Sequence, residues 1–323
     1  EQSVSYLADG YARVTGKPGV GMVVPGPGML NATAGLSTAY ACNSPLVFLV
    51  GQIHSEAIGK GYGNLHEIPD QSGVLKGLTK WHERVEARAR ISGAVSEAFA
   101  AAMSGRRRPV AVEVPYDLLM AQQASAPLAA RAETRPQTPE PKAIDAACNL
   151  IDQAKFPVIY VGGGAMDAGA EVTALAEKLN AGVVASDNGR GVIPDAHPLS
   201  FNSLAGRVLF SKADLVIVIG SRFMDIMTPD PSWPQNEGKT FIYLNIDPAD
   251  FTSPRKGAVC VTADAALGAA ALASTVKRRE TLTDTQARRI KDWAEGRIAA
   301  TGQLWDYVSA LRNALPDDGG LVN

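Results

Sequence analysis

Seven short runs of nearly uninterrupted apolar residues, at 20–24, 46–50, 110–114, 158–161, 182–185, 215–219 and 241–246, constrain the fold of this chain more than any other feature. A strand with one wet face alternates apolar and polar side chains. These runs do not alternate, so both of their faces are predicted to be covered. Alanine-rich stretches of helical length separate them and supply the crossovers that parallel strands require. The pattern predicts an α/β protein made of two parallel-sheet domains with helices on both faces.

Two changes of texture divide the chain. Between Ala121 and Pro141 the sequence turns to Ala, Gln, Pro, Glu and Thr without an apolar period, as a surface linker does. After Ser274, the charged run Lys277, Arg278, Arg279, Glu280 leads into a long polar amphipathic helical pattern that continues to Ala314. We read a first domain over residues 1–121, a linker over 122–140, a second domain over 141–275 and a connector over 276–323. A length of 323 residues accommodates two such cores. The chain opens inside a helical pattern without a starting methionine, and reads as a piece of a longer protein.

Composition narrows the partners. With 20% charged residues and a formal net charge of -2, no net field draws the chain to nucleic acid or to an anionic membrane. No apolar run approaches the roughly 20 residues that a membrane helix needs. Cys42, Cys148 and Cys260 form no CxxC and suggest neither a zinc site nor a disulfide framework, so a reducing cytoplasm is the expected location. Small metabolites are the expected ligands. Asn31-Ala32-Thr33 has the form of a glycosylation acceptor, without a secretory signal beside it.

Gly26-Pro27-Gly28 directly follows the first apolar run, and Asn31 comes shortly after, at the start of an alanine-rich stretch. Glycine lets a backbone approach a ligand, and the free N–H groups of a helix start attract negative charge. A plain strand-to-helix turn has the same composition. Gly162-Gly163-Gly164 follows a later run, but Asp167 stands where a dinucleotide fingerprint needs its last glycine. His54 and His66 lie in the glycine-rich segment 51–71, whereas His82 and His197 read as surface or turn residues. No pair of them has metal-ligand spacing.

Glu1, the segment Ala8-Asp9-Gly10-Tyr11-Ala12-Arg13, the segment Thr15 to Val20, the Gly-Pro-Gly turn with Asn31, and Pro45 to Gln52 stand in one order, followed by Thr79-Lys80-Trp81, Ser104-Gly105-Arg106 and Pro109 to Pro115. In this the first 120 residues resemble the pyrimidine-binding domain of the thiamine diphosphate enzymes of the acetolactate synthase, pyruvate oxidase and benzoylformate decarboxylase family. Residues 143–274 resemble the family's central domain through Pro157 to Gly164, the run "GRGVIPDAHP" at 189–198, "KADLVIVIGSR" at 212–222, and Leu244 to Asp247.

The resemblance implies a set of roles. Glu1, nine residues before Gly10, falls where the family has its activating glutamate. A carboxylate bonded there to the ring nitrogen of the aminopyrimidine favours the tautomer able to take the proton from the reactive thiazolium carbon. Pro27, Gly28 and Asn31 are implied to line that ring, with Gln52 close by; Asn31 is also readable as a helix cap. His54, His66, Glu67 and Tyr116 are the candidate substrate or active-site-loop residues. Arg106, Gly163, Arg222 and Asp247 are the candidate FAD or nucleotide contacts. Family members differ in holding FAD, another nucleotide or nothing there, and Ser221-Arg222-Phe223-Met224-Asp225-Ile226 lacks one aspartate and one arginine of the family's "VRFDDR".

Thiamine diphosphate and magnesium are the implied cofactors. The family's magnesium motif belongs to a third, pyrophosphate-binding domain, whose first residues resemble Pro316 to Asn323, so no metal ligand is expected in this chain. The implied activity is decarboxylation and carboligation of 2-oxo acids by a homodimer or homotetramer, acetolactate synthase-like, on the transferase/lyase boundary. Two departures bear on the substrate: His66-Glu67-Ile68 replaces a Phe-Gln-Glu element, and Tyr116 replaces a lysine after the last strand. A 2-oxo-acid or acyl-CoA decarboxylase without carboligation, and a non-catalytic nucleotide-binding α/β module, are the alternatives.

Overall fold

A computed structural model describes residues 1–120, 136–223, 238–252, 255–316 and 319. The chain divides into two compact units, Glu1–Arg135 and Pro136–Asn323. The greater part of the expected linker lies outside the described residues.

The first unit runs α1 (Gln2–Thr15), β1 (Gly19–Val23), α2 (Pro27–Cys42), β2 (Leu46–Gln52), α3 (Gln71–Leu78), β3 (Trp81–Arg84), α4 (Ile91–Met103), β4 (Val110–Pro115) and α5 (Tyr116–Met120). Its four strands form a parallel sheet in the order β1-β2-β4-β3. β2 and β4 are central, and their apolar runs are buried: Leu46, Val47, Phe48, Val110, Ala111 and Val112 have no exposed surface. One core cluster packs Met29, Leu36, Phe48 and Leu75 together; another packs Val47, Val110 and Val112 under Ala94, Ala98 and Ala102 of α4. β1 departs from the expectation that both faces are covered. It is an edge strand whose Val20 and Met22 are 51% and 68% exposed while its alternate residues are buried.

The second unit comprises α6 (Pro141–Gln153), β5 (Pro157–Val161), α7 (Gly169–Leu179), β6 (Val183–Ala185), β7 (Ser200–Phe201), α8 (Ser203–Lys212), β8 (Leu215–Ile219), β9 (Thr240–Asn245), β10 (Val259–Thr262), α9 (Ala265–Thr275), α10 (Asp284–Ala299) and α11 (Gln303–Ala314). Its sheet, in the order β10-β9-β8-β5-β6-β7, is parallel throughout. β5 and β8 are neighbours where the strand order reverses, the place at which open α/β sheets leave a crevice. All five residues of each are buried, as uninterrupted apolar runs require.

The long helical pattern after Ser274 is two helices rather than one. Gly302 has a φ of 68° and ends the first path. α10 starts at a capping box made by Thr283 and Gln286, and inserts Ala287, Ile290 and Ala294 into the second unit's core. α11 buries no residue. Among the described residues, no helix is long and apolar enough to cross a membrane.

Candidate functional site

The site candidate of the first unit lies at the carboxyl ends of β1, β2 and β4. The chain leaves β1 through Val24 and Pro25 into Gly26, whose φ of 58° is the left-handed region that favours glycine. A side chain on Gly26 is also blocked: its Cβ would stand 2.2 Å from the carbonyl oxygen of His66. Gly26 is the N-cap of α2 and Pro27 its first residue, a position where the missing N–H of proline costs nothing. Asn31 therefore lies inside the helix and does not cap it. Its Nδ2 is 3.4 Å from Glu1 Oε2. A Cβ on Gly28 would meet Glu1 Cγ at 3.4 Å. Glu1, Gly28 and Asn31 thus converge at the head of α2, with Glu1 and Asn31 exposed and Gly28 buried.

Behind the turn is a buried polar cluster that sequence reasoning did not find. Glu113, in the middle of β4, has no exposed surface. Its Oε2 accepts from Gln52 Nε2 at 2.9 Å and Gln71 Nε2 at 3.0 Å, and its Oε1 accepts from Ser72 Oγ at 2.6 Å and pairs with His82 Nε2. Burial opposes ionisation, but the bonds from His82, Ser72 and Gln71 outweigh it and hold the carboxyl below its usual range. His82 is thereby corrected: its side chain is 6% exposed and interior, not a surface residue. β3 brings it there, a strand that apolar patterning misses because Trp81-His82-Glu83-Arg84 is polar and lies at the sheet edge. Gln52 is committed to the same cluster, with its Oε1 accepting from the N–H of Ile53 at 2.8 Å.

Two carboxylates order the segment after β2, Glu67 within it and Asp117 from α5. Glu67 accepts from the N–H of Gly61 at 2.9 Å and of Asn64 at 2.8 Å, and the backbone donors of Asn64 and Gly61 hold its carboxyl below the usual range. Asp117 accepts from the N–H and hydroxyl of Ser55 at 2.9 and 2.7 Å. This pins the segment to α5 and places the ring of His54 edge-on to Tyr116, with centroids 5.8 Å apart. His54 Nδ1 accepts from the N–H of Glu56 at 3.3 Å, so the proton of the neutral ring sits on Nε2. His66 has a φ of 71°, and contributes its carbonyl to the packing of Gly26.

In the second unit, Gly162, Gly163 and Gly164 follow β5, and close packing accounts for the absent side chains of Gly162 and Gly164, while Gly163 is only tightly approached. A Cβ on Gly162 or Gly164 would stand 2.5 or 2.9 Å from Gly220 backbone atoms, and one on Gly163 would stand 3.2 Å from Asn188 Cβ. The N–H groups of Gly162 and Gly164 donate to the carbonyls of Ile219 and Gly220. Asp247 Oδ1 accepts from the N–H of Ala249, within its own turn. Arg222 is exposed beside residues that are not described. Arg106 belongs to the first unit, where its carbonyl accepts from Lys80 Nζ at 2.7 Å. Among the described residues, no group of three metal-ligating side chains occurs.

Comparison with known proteins agrees with both units. Residues 1–74 match the family model "Thiamine pyrophosphate enzyme, N-terminal TPP binding domain", and residues 144–272 match "Thiamine pyrophosphate enzyme, central domain". A probable 2-ketoarginine decarboxylase from Pseudomonas aeruginosa is 34% identical over 82% of this chain and 48% of its own length. The acetolactate synthase large subunit of Corynebacterium glutamicum is 33% identical over 98% of this chain and 49% of its own. The chain thus spans about half the length of these relatives. A solved structure of a putative thiamin diphosphate-dependent enzyme from Mycobacterium smegmatis matches at a TM-score of 0.76 with 26% identity, over 86% of this chain and 54% of that one. With two family models covering two of the four strands of the first sheet and all six of the second, and a solved fold that matches, the chain belongs to the thiamine pyrophosphate enzymes and carries their N-terminal and central domains.

Proposed function

We propose that this chain forms the aminopyrimidine-binding half of a thiamine diphosphate site, and that the full-length protein decarboxylates a 2-oxo acid and joins the product to a second one, as acetolactate synthases do. The convergence of the Glu1 carboxylate, Gly28 and Asn31 at the head of α2 carries this reading. These residues fit the ring end of the cofactor: a carboxylate able to accept from a protonated ring nitrogen, an amide beside it, and a glycine whose missing side chain lets Val24 and the Glu1 stem pack close. Glu1 holds and releases the proton, Asn31 steadies its Oε2, and Pro27 and Gly28 set the depth at which the ring rests. When bound, the cofactor supplies the electron sink for loss of carbon dioxide.

Magnesium and the diphosphate belong in this reading to a third domain, and the complete site to an assembly of at least two subunits in the cytoplasm. Whether the central domain holds FAD is read from the absorbance of the purified full-length protein, where a flavin band shows the cofactor. A decarboxylase without carboligation is the second reading. It is favoured by Tyr116, a phenol edge-on to His54 where the resemblance puts a lysine in the synthases, and by likeness to the probable 2-ketoarginine decarboxylase. Incubating full-length protein with thiamine diphosphate, magnesium and pyruvate, and in parallel with a panel of other 2-oxo acids, separates the two. Acetolactate is the expected product; acetaldehyde alone selects the second reading, and no turnover of any 2-oxo acid rejects both.

A further inference from the structure

At the head of a helix the backbone N–H of the N-cap is a natural donor to a ligand, yet that of Gly26 is taken. It donates to Gln71 Oε1 at 2.8 Å, and both atoms are buried. On the other side of the same amide, Gln71 Nε2 donates to the carbonyl of Gly51 at 3.0 Å and to Glu113 Oε2 at 3.0 Å. Both of those partners can only accept, so the amide has one allowed orientation, with its oxygen toward Gly26. One side chain therefore ties the turn after β1 to the end of β2 and the middle of β4. The carbonyl of His66 closes on Gly26 from another direction. Pro27 and Gly28 follow directly, so the height of the turn sets where Gly28 lies against Glu1 and Asn31.

We propose that Gln71, oriented by Glu113, is a positioning residue of the cofactor site, holding the Gly26–Gly28 turn where it can receive the aminopyrimidine ring beside Glu1. The inference rests on the reading under Proposed function. Glu113 itself is kept ionised by three further donors, Gln52, Ser72 and His82, and so remains an acceptor at neutral pH. Together with the Gly51 carbonyl, that carboxylate holds the Gln71 amide with its oxygen toward the Gly26 N–H.

The test is Gln71→Met in the full-length enzyme, a near-isosteric change that removes all three bonds. Thiamine diphosphate affinity is read by tryptophan fluorescence at saturating magnesium, and kcat at saturating cofactor. Loss of a buried bond to the turn should weaken cofactor binding at least about tenfold, with kcat within about threefold of the parent. Thr79→Ala serves as the control: it removes a buried side chain whose hydroxyl donates to Leu75 O at the end of the same helix, away from the turn, and should lower stability without changing cofactor affinity. If Gln71→Met does not fold, Gln71→Asn takes its place, keeping the amide but too short to span Gly26 and Gly51. The inference is overturned if the parent binds cofactor and the Gln71 variant binds within about twofold of it, or if Thr79→Ala weakens binding equally. A parent that binds no thiamine diphosphate would instead sink the cofactor reading, and this inference with it.

Discussion

At the end of β1, Gly26 has a φ of 58° and faces the His66 carbonyl; at the end of β8, Gly220 has a φ of 61°, and a Cβ there would stand 2.4 Å from the carbonyl carbon of Gly164. Both glycines are forced, but their surroundings differ. Around Gly26 the close approach leaves a carboxylate and an amide exposed on one side and a hydrogen-bonded polar cluster buried on the other. Around Gly220 the strand ends close on one another, Gly162 and Gly164 included, and their N–H groups are satisfied by Ile219 and Gly220 carbonyls. A glycine cluster at a strand end thus says only that something comes close. Unspent polar groups are what distinguish a place for a ligand from backbone packing.

The comparison breaks first at Glu113. Glu113→Ala would leave four buried donors facing a void, and is expected to destabilise the first unit by about 3 to 5 kcal/mol while leaving the second unit untouched. Separate transitions in a denaturant titration would show it; equal loss in both units would contradict the division. Acid acts on the same group. Its folded carboxyl lies below the ordinary value, so its contribution is complete above about pH 4.3, the unfolded value, and is lost as pH falls further through the folded one. Glu113→Gln should flatten that acid limb of the first unit's stability.

Gly220→Ala comes next. Backbone stands on both sides of the new methyl group and φ is unfavourable for alanine, so a cost on the order of 2 to 3 kcal/mol to the second unit is expected, with cofactor affinity unchanged. Gly163→Ala sharpens the contrast at the small end. Its nearest neighbour, Asn188 Cβ, is 3.2 Å away and needs to shift only slightly, so a loss below about 1 kcal/mol is expected. A nucleotide that binds the parent and is lost on Gly163→Ala would show that the second unit's glycines serve a ligand after all.

The two regions were unequally legible. Central strands such as β5 and β8 announce themselves because burial on both faces selects uninterrupted apolar residues. β3, β7 and β10 escape because they are polar, short or at an edge, where tertiary pairing rather than side-chain pattern makes the strand. Of the site, Glu1, Gly28 and Asn31 were reachable through family resemblance, and the structure brings these three together. Gln71 and His82 were not, since they meet Glu113 across 42 and 31 positions of sequence, and nothing local records that meeting. One signal was present: Glu113 is the only charged residue in the run Val110–Pro115, and a carboxylate in a fully buried strand must find donors.

The central claim is that Glu1 is the proton-handling group of a thiamine diphosphate site, and hydrogen–deuterium exchange at the thiazolium carbon of enzyme-bound cofactor tests it most directly. Glu1→Gln keeps the shape and one acceptor oxygen but removes the charge. Exchange in the full-length variant is expected to slow by about 10² to 10⁴, the range of a positioned acid or base, whereas Tyr116→Phe should exchange like the parent and alter only the preference among 2-oxo acids. A glutamine variant that exchanges as fast as the parent would contradict the account.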